Sequence, residues 1–170
     1  MTIDHRVQIR PARPGDETQI LDLIRELAEY ERLAHEVTAT PALLAEHLFG
    51  NAAVAEAVMA DCDGEAVGFA LFFRNFSTFL GRPGLYLEDL YVRESWRGQG
   101  IGRALLGHVA DLARGRGYGR MEWSVLDWNQ PAIDFYRSLG AGAMAEWTVY
   151  RLSEDGCVPE LPPASAPRYR

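Results

Sequence analysis

A chain of 170 residues, 48% hydrophobic and 24% charged, is long enough for one domain with its own core and too short for two ordinary ones. At this length folding buries roughly 70% of the extended chain's surface, which excludes wholesale disorder and removes any need for a stapling disulfide or metal. A net charge of −7 argues against nonspecific attraction to nucleic acid or anionic membrane and favours a cationic small molecule or a neutral partner. All 17 basic residues are arginine, a composition that carries no functional reading. Cys62, Cys157 and the four histidines fall in no ligand spacing, so no metal is expected. The opening MTIDHRVQIR lacks an apolar h-region and no run approaches 18 apolar residues, so the expectation is a soluble cytoplasmic domain.

In chain order, Val7 to Arg10 reads as a strand closed by Pro11. Pro14-Gly15-Asp16 turns into a helix with Ile20, Leu23, Ile24, Leu27 and Tyr30 on one face. Thr40-Pro41 opens a second helix carrying Leu43, Leu44 and Leu48. Ala53–Ala60 and Glu65–Arg74 read as strands joined by Asp61-Cys62-Asp63-Gly64. Phe76 to Gly84 reads as a loop, and Leu85–Val92 as the most strand-like stretch of all. The glycine turn Arg97-Gly98-Gln99-Gly100-Ile101-Gly102 then opens a helix with Ile101, Leu105, Val109 and Leu112 on one face, ended by Gly115 to Gly119. Met121–Leu126 is the next strand, and Asn129-Gln130-Pro131 caps a helix that stops at Gly140. Trp147–Leu152 is a last strand, and 153–170 a Pro-rich tail. Alternating strands and helices define a single α/β or α+β domain over 1–152.

The stretch that carries chemistry is strand, RGQGIG, helix. Three alternate glycines let backbone approach a ligand, and a helix start leaves amides unpaired, which suits a phosphate or pyrophosphate. A P-loop requires a lysine, which the chain lacks. A dinucleotide fingerprint fits poorly, because the third glycine comes one residue early and several strands precede the turn. The turn also resembles the acyl-CoA loop Arg/Gln-x-x-Gly-x-Gly/Ala, whose positions Arg97, Gly100 and Gly102 satisfy.

With YLEDLYV before this loop, and LDWNQPAIDFY then SLGA after it, the chain resembles the GCN5-related N-acetyltransferases (GNAT). The longer set is similar to their spermidine/spermine and thialysine (diamine) branch. The resemblance implies a mixed, mostly antiparallel sheet of six or seven strands flanked by about four helices, acetyl-CoA as cosubstrate, a small-molecule amine as acceptor and a homodimer. Leu90, Tyr91 and Val92 would then hold the pantetheine arm. Arg97 belongs to the coenzyme loop, where Gly98, Gln99, Gly100, Ile101, Gly102 and Arg103 would surround the pyrophosphate. Asn129, Gln130, Pro131 and Ala132 would touch the coenzyme from the other side. Tyr136 falls on the acid that protonates the departing thiolate, and Glu88 on the carboxylate that contacts the amine. Tyr30, Glu31, Asp89, Glu122, Trp123, Ser124 and Glu146 fall on the acceptor side. Phe79 stands where bacterial relatives often carry Trp.

The residues support part of this by themselves. An alkylammonium has a pKa near 10.4, so only about one molecule in a few thousand is neutral at pH 7 and a base is needed. Strict alternation along Leu85–Val92 would put Glu88 with Tyr86 and Leu90 and turn Asp89 the other way. In a central strand, at least one of two adjacent carboxylates is expected to be partly buried with a raised pKa, unless an edge or a bulge solvates both. Tyr136, one helical turn after Ala132, is either the acid or a core aromatic like Phe135. Two further readings stay open on the sequence: transfer to a protein amine, and a noncatalytic acyl-CoA-binding module.

Overall fold

A computed structural model describes residues 6–152, so the Pro-rich tail lies outside the described part. One compact unit ends at Ser124 and a second begins at Val125. The first holds β1 (Val7–Pro11), α1 (Glu17–Tyr30), α2 (Pro41–Phe49), β2 (Glu56–Cys62), β3 (Glu65–Ser77), β4 (Arg82–Val92), α3 (Ile101–Gly115) and β5 (Met121–Glu122); the second holds α4 (Gln130–Ser138). The sheet order is β1-β2-β3-β4-β5, antiparallel throughout except for the parallel pair β4–β5.

Local signals account for most boundaries. Thr40 accepts a hydrogen bond from the Leu43 N–H (3.2 Å) ahead of Pro41, which fixes the start of α2. β2 and β3 join through Asp63 and Gly64, both at positive φ (51° and 88°), as a two-residue hairpin turn with right-handed strand twist requires. α3 ends where Gly117 takes φ 69° and the Tyr118 N–H reaches back to the Ala113 carbonyl (2.9 Å). Ile20, Leu23 and Leu48 of the first two helices pack on Ala57, Met59 and Phe69 of the sheet. The alternate residues Val58, Ala70 and Phe72 are equally buried, and α3 packs on β2, β3 and β4 with Ile101, Leu105 and Val109 fully covered. A sheet covered on both faces explains the near-continuous apolar runs of β2 and β3.

Two expectations need correction. Among the described residues the sheet has five strands, not six or seven. Met121–Leu126 contributes only Met121–Glu122, and Trp147–Leu152 joins no ladder, with Val149 and Tyr150 79% and 91% exposed. An apolar alternation marks a face to be covered but does not supply the neighbouring strand that completes its hydrogen bonds. The loop expected over Phe76–Gly84 is mostly strand: Phe76 pairs with Pro83 and Asn75 with Gly84. Glycine is needed at 84 for space rather than for a turn, since a Cβ there would sit 2.4 Å from Asn75 Oδ1.

One polar anchor fixes α1 on the sheet. Arg10 on β1 donates to Asp16 Oδ2 (2.6 Å) and Oδ1 (3.0 Å), and to Asp61. The Arg13 N–H adds a third bond to the Asp16 carboxylate (2.8 Å). Burial alone would push the Asp16 carboxyl up, but these donors hold it below its ordinary value. Its contribution is therefore complete above about pH 4 and is lost as the pH falls toward the depressed folded pKa. Asp16→Ala is expected to cost about 2–3 kcal/mol in urea unfolding at pH 7, because it strips a partly buried guanidinium of its main partner, and the deficit should narrow at pH 3.

Candidate active site

The acceptor side is shaped by an irregularity in β4. Tyr86 pairs with Phe73 and Asp89 with Leu71, leaving Glu88 as an extra residue without a partner on β3. Phe73 and Leu71 share a face of β3, so the bulge puts Tyr86 and Asp89, three residues apart, on one face. Simple alternation assigned Asp89 to the opposite face, and the register corrects that. Glu88 is exposed, whereas Asp89 is partly covered. Burial first, then repulsion from Glu88 and Glu31, pushes the Asp89 carboxyl up to about 7. Glu31, capping the end of α1, is itself raised by burial. Among the described residues no basic side chain pairs with Glu31, Glu88 or Asp89. The cluster holds three carboxylates and no cation.

The segment expected to hold the coenzyme lies just beyond. β5 pairs with β4 only at Leu85 and Tyr86, so in this unit no strand lies along the β4 edge opposite β3 at Leu90, Tyr91 and Val92. An extended arm could be held there by backbone hydrogen bonds. The chain then makes a 3₁₀ turn (Glu94–Trp96) and enters α3 through Gly98 (φ 75°) and Gly100 (φ 82°). These two left-handed residues turn successive amides inward, and no side chain caps the start of α3. The amides of Ile101, Gly102 and Arg103 stand in its first turn, where helix geometry offers them no carbonyl. This donor set and positive helix end fit a diphosphate. Gln99 turns its side chain to the Ser95 carbonyl (3.4 Å), which leaves backbone as the main ligand there.

Three further expected residues occupy the β5 end. Glu122 Oε2 accepts from Asn75 (3.0 Å) and from Arg120 Nε (2.8 Å), so this carboxylate is already committed to joining β3 and β5. Tyr86 Oη and Ser124 Oγ are 2.8 Å apart, and Trp123 between them in sequence is half-buried.

In the second unit, Asn129 is buried and its Oδ1 caps α4 at the Ala132 N–H (3.3 Å), with Pro131 in the first turn. Gln130 is spent on Asp134 (2.7 Å). Tyr136 lies one turn past Ala132, half-buried, its ring 5.3 Å from Phe135. Glu146 is exposed beyond the helix.

A bulged β4, a glycine turn and an uncapped helix start are elements that an acyltransferase could use to seat an acyl carrier's diphosphate. The chain belongs to the acetyltransferase (GNAT) family, whose profile matches residues 19–141. It is 40% identical over 156 residues to the thialysine N-epsilon-acetyltransferase of Bos taurus, covering 85% of this chain and 91% of that one. It is 35% identical to an L-ornithine N5-acetyltransferase of Arabidopsis thaliana, covering 89% and 87%. An integron cassette protein from the mobile metagenome of V. cholerae has the same fold, with a TM-score of 0.74 at 27% identity over 90% of this chain and 96% of that one. The protein is an N-acetyltransferase acting on amines. No helix among the described residues is long and apolar enough to cross a membrane.

The sequence predicts one raised carboxyl in the Glu88/Asp89 pair, and the structure makes it Asp89. Which of the two it is has no local signal, because a bulge is set by what β3 offers and leaves no mark in LEDL.

Proposed function

We propose that the enzyme transfers the acetyl group of acetyl-CoA to a primary amine of a small diamine, polyamine or basic amino acid, by direct attack within a ternary complex. The observation that carries this reading is the group Glu31, Glu88 and Asp89, which has no basic partner among the described residues and joins the end of α1 to the β4 segment that leads into the glycine turn. A substrate with two cationic groups would supply the missing positive charge, one ammonium held by the cluster and the other nitrogen deprotonated for attack.

In this reading the amine contacts Glu88 and the proton of its ammonium form passes to the Glu88/Asp89 pair. The neutral nitrogen forms a bond to the thioester carbonyl carbon, the C–S bond breaks, the departing thiolate takes a proton from Tyr136, and the proton shed by the new amide nitrogen restores the Tyr136 phenol. Tyr30, Glu31, Trp123 and Ser124 line the acceptor side. Residues 90–92 and 97–103, with 129–132, hold the coenzyme, which supplies the activated acyl group when bound. The chemistry needs no cysteine nucleophile and no metal. The reading includes a homodimer, for which the four large apolar side chains exposed on 147–152 would supply contact surface.

Thiol release from acetyl-CoA in the presence of a panel of diamines, thialysine, ornithine and neutral monoamines tests the reading. Turnover is expected for the dicationic members and to be far weaker for neutral-tailed monoamines. Equal rates across the panel would refute the carboxylate cluster as the acceptor site.

A further inference from the structure

Arg97 opens the coenzyme loop, yet the contacts of its side chain reach toward the acceptor side. Its guanidinium carbon lies 4.6 Å from the ring centroid of Tyr30 and 5.5 Å from that of Tyr91, both within cation–π range. Its Nε donates to the Val92 carbonyl (2.9 Å), which fixes the plane of the group. Tyr91 belongs to the buried core and offers a rigid surface. Tyr30 is the last residue of α1 and is followed by Glu31 of the carboxylate cluster. A second arginine from the same connection, Arg93, ties the preceding turn of α1 through Glu26 (Nε–Oε1 3.0 Å, Nη2–Oε1 2.9 Å). The end of α1 and the entry to the glycine turn are thus cross-braced, and the outer contact of the brace is the ring of an acceptor-side residue.

We propose that Arg97 is a positioning residue whose stack on Tyr30 couples the two substrates: an amine docked at the end of α1 steadies the coenzyme loop, and a seated coenzyme steadies the amine site. The inference rests on the acceptor site proposed above and adds a specific route through it. A loop already held in its binding geometry has less ordering left to accomplish when the diphosphate arrives. By linkage, an amine that tightens the loop must itself be bound more tightly once the coenzyme is present. The ring of Tyr30 carries this coupling, independently of its hydroxyl. Lysine cannot replace Arg97 in this task, because a compact ammonium loses both the planar stack and the Nε bond to Val92.

Calorimetric titration of the full chain with CoA, alone and with saturating 1,3-diaminopropane or ornithine (whichever is turned over), reads the coupling directly. The diamine is expected to tighten CoA about three- to tenfold in the parent, the range that one cation–π contact can carry. Tyr30→Phe should keep that ratio. Tyr30→Leu and Arg97→Lys should weaken CoA by a similar factor and bring the ratio to about one, with melting curves confirming a folded protein. If Tyr30→Leu does not fold, Arg97→Lys alone decides, since that side chain is 38% exposed. A parent that turns over amines without any CoA–amine coupling, or a Tyr30→Leu or Arg97→Lys protein that retains it, overturns the proposal. A parent that binds CoA but acetylates no amine of the panel refutes the acceptor site instead, and the coupling falls with it.

Discussion

Tyr136→Phe is expected to lower turnover on the order of 10²-fold while leaving CoA affinity nearly unchanged. The leaving group is the conjugate base of a thiol with pKa near 8.5, and a phenol with pKa near 10 stabilises it as charge develops on sulfur. That interaction exists in the transition state and not in the ground-state thioester, so its loss falls on kcat and spares binding. α4 is built to hold such a donor in place. Asn129 closes its first turn, Pro131 presets the backbone, and Phe135 abuts the Tyr136 ring. Removing one oxygen leaves the Asn129 cap and the Phe135 ring contact in place. A kcat close to the parent value would remove Tyr136 from the acid role and return it to the packing role of Phe135. A loss confined to CoA affinity would make it a binding residue only.

The part of the site that is made of backbone was the part most legible in the sequence. Glycines at 98 and 100 are needed because both adopt φ near +80°, a region that costs other residues strain, and the residue type alone announces this. The caps at Thr40 and Asn129 are equally direct, since the side chain and the amide it satisfies lie three residues apart. What could not be read were features set by pairing across the sheet. Gly81-Arg82-Pro83-Gly84 has turn composition, yet Pro83 and Gly84 lie in β4 because Phe76 and Asn75 extend β3 to meet them. The bulge at Glu88 has the same origin. Periodicity of two assumes one residue against one, and a single unpaired residue reverses every assignment beyond it. The Arg97–Tyr30 stack joins positions 67 residues apart and follows from where α1 ends on the sheet, which no local signal encodes.

Asp89→Asn is expected to trade activity for stability, with opposite pH dependences for the two. In the folded protein the carboxyl titrates at about 7, against 3.8 for an unhindered aspartate. Below pH 3.8 it is protonated in both states and contributes nothing. Between there and pH 7 the folded state holds a proton that the unfolded state has released, so stability falls as the pH rises, and above 7 the whole penalty is present. The gap corresponds to on the order of 4 kcal/mol, and the neutral amide should recover a good part of it in denaturant titrations at pH 8 and almost none near pH 4. Activity should move the other way. The parent's kcat/KM should rise with pH through an inflection near 7 as Asp89 becomes able to accept a proton. Asp89→Asn should abolish that inflection and lower the rate at pH 8 on the order of 10²-fold. Glu88→Gln separates the two carboxylates, because the Glu88 charge is one of the forces that raise Asp89. If Glu88 contacts the amine while Asp89 keeps the proton, Glu88→Gln weakens amine binding and shifts the inflection to lower pH. Were the inflection to vanish in Glu88→Gln and persist in Asp89→Asn, Glu88 would be the base and Asp89 only a buried charge. A dicationic substrate should also draw the Asp89 pKa down on binding, placing the inflection in kcat below that in kcat/KM. That separation follows from three acids gathered at the end of α1 and the β4 bulge with no basic partner among the described residues.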